Sequence, residues 1–174
     1  METKLNIGCG TDYKEGYVNI DINKNVKADV YVRDEDEINY KEVDEIVANR
    51  VLPFLKDETK SIIKWHKMLK KGGKIRALVP HFSSPPYSME ARRHFGYRVR
   101  DFYRFNKRIE WINIPKDVKF NVKIKIRLYK GLRLWNYFFE WFFNLNYFTQ
   151  KIYEESFWRS LLPAGVMEVE MEKI

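Results

Sequence analysis

The 174-residue sequence predicts an α/β fold: a mainly parallel sheet with a shortened first crossover, followed by an aromatic-rich second half of helices and strands. Three observations predict it. Short apolar runs with brief connections recur through the first eighty residues, and one segment there carries apolar residues at helical spacing. Towards the carboxyl end, two stretches alternate apolar and polar residues with period two. Repetition of strand, crossover and strand, with continuous apolar strands, is the pattern of a parallel sheet covered on its faces.

Taken in order, residues 4–8 and 17–22 read as the first two strands, 29–33 (DVYVR) as the third and 45–48 (EIVA) as the fourth. Asp57-Glu58-Thr59 opens a helix that sets Ile62, Ile63, Trp65, His66 and Leu69 at helical spacing, and Lys70-Lys71 with Gly72-Gly73 closes it in the manner of a helix end. Residues 74–79 (KIRALV) form a fifth strand. After Pro80 the pattern changes. Residues 81–106 are loop-like up to Pro86 and then rich in arginine and aromatics. Residues 118–128 (VKFNVKIKIRL) alternate apolar and basic, which predicts a strand with one wet, cationic face. Residues 129–158 hold thirteen aromatics and predict helices, and 166–171 (VMEVEM) predict a closing strand after the break at Pro163-Ala164-Gly165. No internal repeat or low-complexity linker divides the chain, so 1–174 reads as one domain with halves at 1–80 and 81–174.

The net charge of +8 is unevenly placed. Residues 1–60 hold 9 Lys/Arg against 14 Asp/Glu, and residues 61–174 hold 23 against 10. A basic second half suits nucleic acid, an acidic polymer or an anionic lipid surface, or else forms an ordinary solvated face. A lone cysteine, Cys9, with three scattered histidines offers neither a disulfide nor zinc spacing, so no metal site is expected and a cytoplasmic setting is. The amino terminus runs straight into the first strand, and no apolar stretch approaches the ~20 residues of a membrane span.

Function is written most densely in LNIGCG at 5–10 and NIDI at 19–22. In an open α/β sheet, ligands bind beyond the carboxyl ends of the strands, where these runs end. Two glycines there allow a sharp turn and close backbone approach to a ligand. Asp21, ending the second strand, is placed to accept hydrogen bonds from both hydroxyls of a ribose. Only the eight residues 9–16 separate the two strands, too few for the full crossover helix of a dinucleotide site, and the third glycine of that motif is missing.

GCG followed by KEGYVNIDI, an acidic end to the third strand, a fourth strand ending in ANRVL and a helix ending KKGGKI together resemble the class I S-adenosylmethionine-dependent methyltransferases, with their Rossmann-like sheet. The resemblance is close over about residues 4–80 and looser in PPYSMEARRHF and LLPAGVMEVEM. It implies a cofactor-binding half at 1–80 and a substrate and lid half at 81–174. It also implies that Gly8, Cys9 and Gly10 wrap the amino-acid end of S-adenosylmethionine, that Asp21 holds its ribose with Ile22 also at the cofactor, and that Asp34 meets its adenine amino group. Asn49 and Arg50 would line the cofactor and face the substrate. The chain departs from the family at two places. Asn6 stands where many members carry an acid that orients the methionine ammonium, and Pro53-Phe54 replace an acid and a histidine.

Methyl transfer from a sulfonium relies on holding the nucleophile in line, and a hydroxyl acceptor gains from a base. His81 and His94 are the histidine candidates, with Glu90 and Asp101 as acids nearby. Arg92, Arg93, Arg98, Arg100, Arg104, Lys107 and Arg108 suit an acidic or polymer-linked acceptor, or form the wet face of an amphipathic helix. The aromatic run has three roles open to it: a lid over the pocket, a peripheral membrane contact or a homodimer seam. The competing reading is a non-catalytic basic module that binds nucleic acid or anionic membrane beside a vestigial cofactor pocket.

Overall fold

The computed structural model describes residues 2–84, 96–106, 114–129 and 134–174. Their strands are β1 (Lys4–Ile7), β2 (Val18–Asp21), β3 (Val30–Tyr31), β4 (Val43–Asn49), β5 (Leu69–Pro80), β6 (Phe120–Leu128) and β7 (Ala164–Lys173). They form one sheet in the order β3-β2-β1-β4-β5-β7-β6. The first five pair in parallel, and β7 lies antiparallel between β5 and β6, so β6 again runs with the rest. This is a Rossmann-like, mainly parallel α/β sheet, and the first crossover is a loop with no helix.

The strand alternation sorts the two faces. Ile75, Ala77 and Val79 of β5, Met167, Val169 and Met171 of β7, and Val122, Ile124 and Ile126 of β6 are buried, whereas Arg76, Glu168, Lys123 and Lys125 between them are exposed. Helices α1 (Glu58–Met68), α2 (Val99–Tyr103), α4 (Tyr147–Glu155) and α5 (Trp158–Leu161) serve the buried face, and α3 (Trp135–Phe143) lies beside β6. His66 of α1 meets Phe120 of β6 edge-on at 4.9 Å, and Tyr153 of α4 packs on His81 at 5.6 Å.

On the other face, β5, β7 and β6 carry a charge ladder in place of helices among the described residues. Register aligns Arg76, Glu170 and Lys123 in one row and Leu78, Glu168 and Lys125 in the next. Arg76 pairs with Glu170 at 3.1 Å and Arg127 with Glu168 at 2.7 Å. The expected cover on both faces is therefore corrected. The β1–β2 and β2–β3 connections are likewise too short to hold the crossover helices that would cover β1, β2 and β3.

A second correction concerns Gly72-Gly73. Helix α1 ends at Met68, and Leu69 already pairs with Val43 as the first residue of β5. The next paired residues are Glu45 and Lys74, so residues 70–73 bulge out of register. Gly72 takes φ +77°, and a Cβ on Gly73 would stand 2.7 Å from the Val43 carbonyl oxygen. The glycines make the bulge and do not stop the helix. Asp57 opens α1 as expected, its Oδ1 accepting from Lys60 N at 3.0 Å.

The aromatic segment is helical, but its placement departs from a lid. Strand β6 closes the sheet, so the backbone groups of Ile124, Ile126 and Leu128 that point away from β7 need partners. Asn144 supplies both for Ile126, accepting from its N–H at 2.7 Å and donating to its oxygen at 2.8 Å. Gln150 Nε2 donates to the Ile124 oxygen at 2.7 Å, Glu140 Oε2 accepts from Leu128 N at 3.0 Å, and Asn136 donates to the Tyr129 oxygen. Helix α3 thus runs back along the free edge of β6 and turns its polar residues inward. The end of α4 reaches the carboxyl edge of the sheet at His81 and Ser83, and Arg159 of α5 lies over Phe82 there.

Candidate functional site

A cavity of about 380 Å³ opens at the carboxyl ends of β1, β2 and β4. Of the nine residues assigned to a cofactor from the sequence, Gly8, Asp21, Ile22, Asp34, Asn49 and Arg50 line it. Asn6, Cys9 and Gly10 do not. They build its wall from behind.

The two glycines have different reasons. Gly8 sits at φ +63°, and a Cβ there would lie 2.5 Å from Val51 Cγ2. Gly10 has φ +51° with open space where its Cβ would be. Its N–H donates to Asp21 Oδ2 at 2.7 Å, and Asn23 N donates to Oδ1 at 2.8 Å. These bonds aim a carboxylate that is 7% exposed. An ionised carboxylate offers about four acceptor sites, so both oxygens keep lone pairs for hydroxyls in the cavity.

Behind Gly10, the short crossover is fastened by amides. Asn6 Nδ2 donates to the Asp12 oxygen at 2.7 Å and to Asn19 Oδ1 at 2.9 Å, and Asn19 reaches Lys14, Tyr17 and Asp29. A hydrogen-bonded Lys14 ammonium, with Asn49 contributing, holds the Asp12 carboxyl below its usual range. Cys9 is buried, and burial with the nearby Asp21 charge pushes its thiol up, so it packs as a neutral group.

At the far end of the cavity Asp34 opens a 3-10 turn, accepting from Asp36 N at 2.8 Å, and pairs with Lys56 Nζ at 3.4 Å. That backbone bond, with Lys56 beside it, holds its carboxyl below the usual range. Arg50 follows β4 in a left-handed conformation, φ 60°, anchored by its N–H to the Leu78 oxygen at 2.7 Å. Two further lining residues were not assigned to the site from the sequence. Lys56 is one, and Phe54 is the other, a 56% exposed ring on the 3-10 turn after β4. Phe54, noted in the sequence only as a departure from the resemblance, takes an apolar place in the lining; an aromatic just after a predicted strand end was the available signal.

His81 lies just beyond β5, wholly buried. Ser83 N donates to its Nδ1 at 3.1 Å, which puts the ring proton on Nε2, facing Glu154 Oε1 at 3.3 Å. The same Glu154 oxygen accepts from Val99 N at 2.7 Å, and Ser83 Oγ accepts from Ala164 N at 3.0 Å. His81 therefore joins β5, α2, α4 and β7 at one point. His94, Glu90, Arg92, Arg93, Lys107 and Arg108 lie outside the described residues. Of the remaining arginines, Arg98 stacks on Phe82 at 4.6 Å and Arg104 donates to Thr59 Oγ1 at 2.8 Å, while Arg100 is exposed.

No protein-family model and no curated protein sequence matches the chain. Solved structures do match in fold. The plantazolicin methyltransferase BpumL, solved with S-adenosylhomocysteine, superposes with a TM-score of 0.59 at 13% identity, over 99% of this chain and 76% of its own. A SAM-dependent methyltransferase from Archaeoglobus fulgidus gives 0.55 at 17%, over 99% and 86%, and MccD gives 0.54 at 13%, over 100% and 90%. A protein solved in complex with the Haloferax volcanii Trm112 methyltransferase activator is similar over 46% of each chain, with a TM-score of 0.39. In strand order, in the single antiparallel strand and in superposition, this chain has the fold of the class I S-adenosylmethionine-dependent methyltransferases.

Proposed function

We propose that the protein binds S-adenosylmethionine in the cavity beyond β1, β2 and β4 and transfers its methyl group to an acidic or polymer-linked acceptor. The observation that carries this reading is Asp21, held by two backbone N–H groups with acceptor capacity turned into a cavity beside Gly8. The residues present fit the cofactor: a carboxylate for the ribose, the Asp34 carboxylate for an exocyclic amine, Ile22 and Phe54 as apolar walls, and open space at Gly10. When bound, the cofactor supplies a methyl group already activated on a sulfonium. The chain then has to orient, exclude water and place the acceptor, which can account for most of the acceleration. Asn49 and Arg50 face the side from which an acceptor would approach, and the Arg50 guanidinium suits an anionic one. His81, with both ring nitrogens held, acts in this proposal by positioning the end of β5; His94 keeps its assignment as a candidate base.

Titration calorimetry with S-adenosylhomocysteine tests the reading. The wild type should bind, and Asp21→Asn, which keeps the size of the side chain and one acceptor oxygen, should weaken binding by about 2–4 kcal/mol through two weakened charge-assisted bonds. Equal affinity of variant and wild type removes Asp21 from the site. Absence of binding by the wild type favours the basic binding module with a vestigial pocket.

A further inference from the structure

Helix α3 is inverted relative to an ordinary surface helix. Its inward residues, Asn136, Glu140 and, just after it, Asn144, bond the free edge of β6. Its outward residues, Trp135, Tyr137, Phe138 and Trp141, are 55% to 61% exposed, and the patch continues through Leu145, Phe148 and Phe157. A monomeric protein rarely shows a contiguous apolar surface of this kind unless something binds there. The sheet order sets the patch apart from the cavity. Three strand spacings, roughly 14 Å at about 4.8 Å each, separate β6 from β4, and β2 lies two further away.

The charges in this stretch of the sequence indicate its occupant. Residues 129–163 hold four basic side chains, Lys130, Arg133, Lys151 and Arg159, and three acids, Glu140, Glu154 and Glu155. Glu140 and Glu154 are buried, so the only exposed carboxylate is Glu155, which Lys151 pairs at 3.8 Å. An aromatic surface with a cationic surplus matches an anionic lipid interface, where Trp and Tyr rings sit at headgroup depth and basic groups meet phosphates. A second copy would bring the same surplus against itself. No helix among the described residues is long and apolar enough to cross a membrane.

We propose that the outer face of α3, extended by α4 and α5, docks this protein on an anionic bilayer surface as a peripheral, non-spanning contact. The polar stripe that an interfacial helix normally turns to water is here turned to the edge of β6, and the aromatic stripe is left for the lipid.

Co-sedimentation of the full chain with phosphatidylcholine vesicles, with and without 30% phosphatidylglycerol (about three anionic lipids in ten, enough for a negative surface potential), tests this, read together with tryptophan emission. The expected result is partitioning onto the anionic vesicles with a blue shift. Phe138→Ser and Trp141→Ser should each lower the partition coefficient about tenfold or more, since each removes a large apolar side chain from the interface. Because both side chains are exposed, the variants should keep the wild-type melting temperature, which separates lost docking from lost folding. No partitioning of the wild type overturns the proposal, as does partitioning that the variants leave unchanged. A concentration-dependent dimer in ultracentrifugation that Trp141→Ser abolishes overturns it in favour of a second copy.

Discussion

At the scale of single residues, the two motif glycines separate structure from binding. Gly8→Ala combines a left-handed backbone with a Cβ driven into Val51, so it should destabilise the protein by roughly 2–4 kcal/mol. Gly10→Ala meets open space and carries only the conformational cost, about 1–2 kcal/mol. If the cavity receives a cofactor against this turn, Gly10→Ala should weaken S-adenosylhomocysteine binding by more than it lowers stability. Thermal melts and calorimetry on both variants check this, and a larger melting drop in Gly10→Ala than in Gly8→Ala would contradict it. The candidate site was legible at such residues because strand ends in a parallel sheet share one edge, so GCG, Asp21 and Asn49-Arg50 were bound to converge. The lining roles of Phe54 and Lys56 were not legible. Their place depends on how the 3-10 turn after β4 folds back over the cavity, and no periodicity encodes that.

At the scale of elements, alternation and helical spacing located the strands and α1, and failed where one signal has two physical uses. Gly72-Gly73 reads equally as a helix stop or a bulge, and pairing of Leu69 with Val43 decided for the bulge. For α3 the helical reading holds, but which of its faces turns inward was not legible, because an edge strand needs polar partners more than it needs apolar cover. Glu140 makes this measurable. Its carboxylate accepts from Leu128 N at 3.0 Å and from Arg127 Nη1 at 3.0 Å. Glu140→Leu leaves a buried N–H without that acceptor and should cost about 2–3 kcal/mol, whereas Glu140→Gln keeps an acceptor oxygen and should cost about half as much. Urea unfolding with unchanged slope distinguishes the two; equal losses would show that charge, not acceptor geometry, holds the helix to the strand.

At the scale of the whole molecule, one layer of helices on one face of the sheet makes the buried interior thin, and the polar groups inside it weigh more. His66 is 5% exposed, its Nε2 has no hydrogen-bond partner, and its ring meets Phe120. Burial first, and then the nearby Lys173 charge, hold its pKa below the ordinary histidine value. The unfolded chain therefore binds a proton that the fold resists. Stability is complete above the unfolded value, about 6.5, and falls as pH drops below it. His66→Phe should flatten this slope in melts between pH 5 and 7 and leave the melting temperature at pH 8 equal or higher. An unchanged slope would assign the acid sensitivity to other groups.

The hydrogen bonds that seat α3 and α4 on β6 have a consequence for self-association. A sheet grows by strand addition only where an edge presents free N–H and C=O groups in register. On β6 the Ile124 oxygen, both backbone groups of Ile126 and the Leu128 N–H already have side-chain partners, and at the opposite edge β3 is only two residues long. Both edges of the sheet thus offer few free groups in register to templated, amyloid-like extension, although the protein's surface aromatics would otherwise favour aggregation.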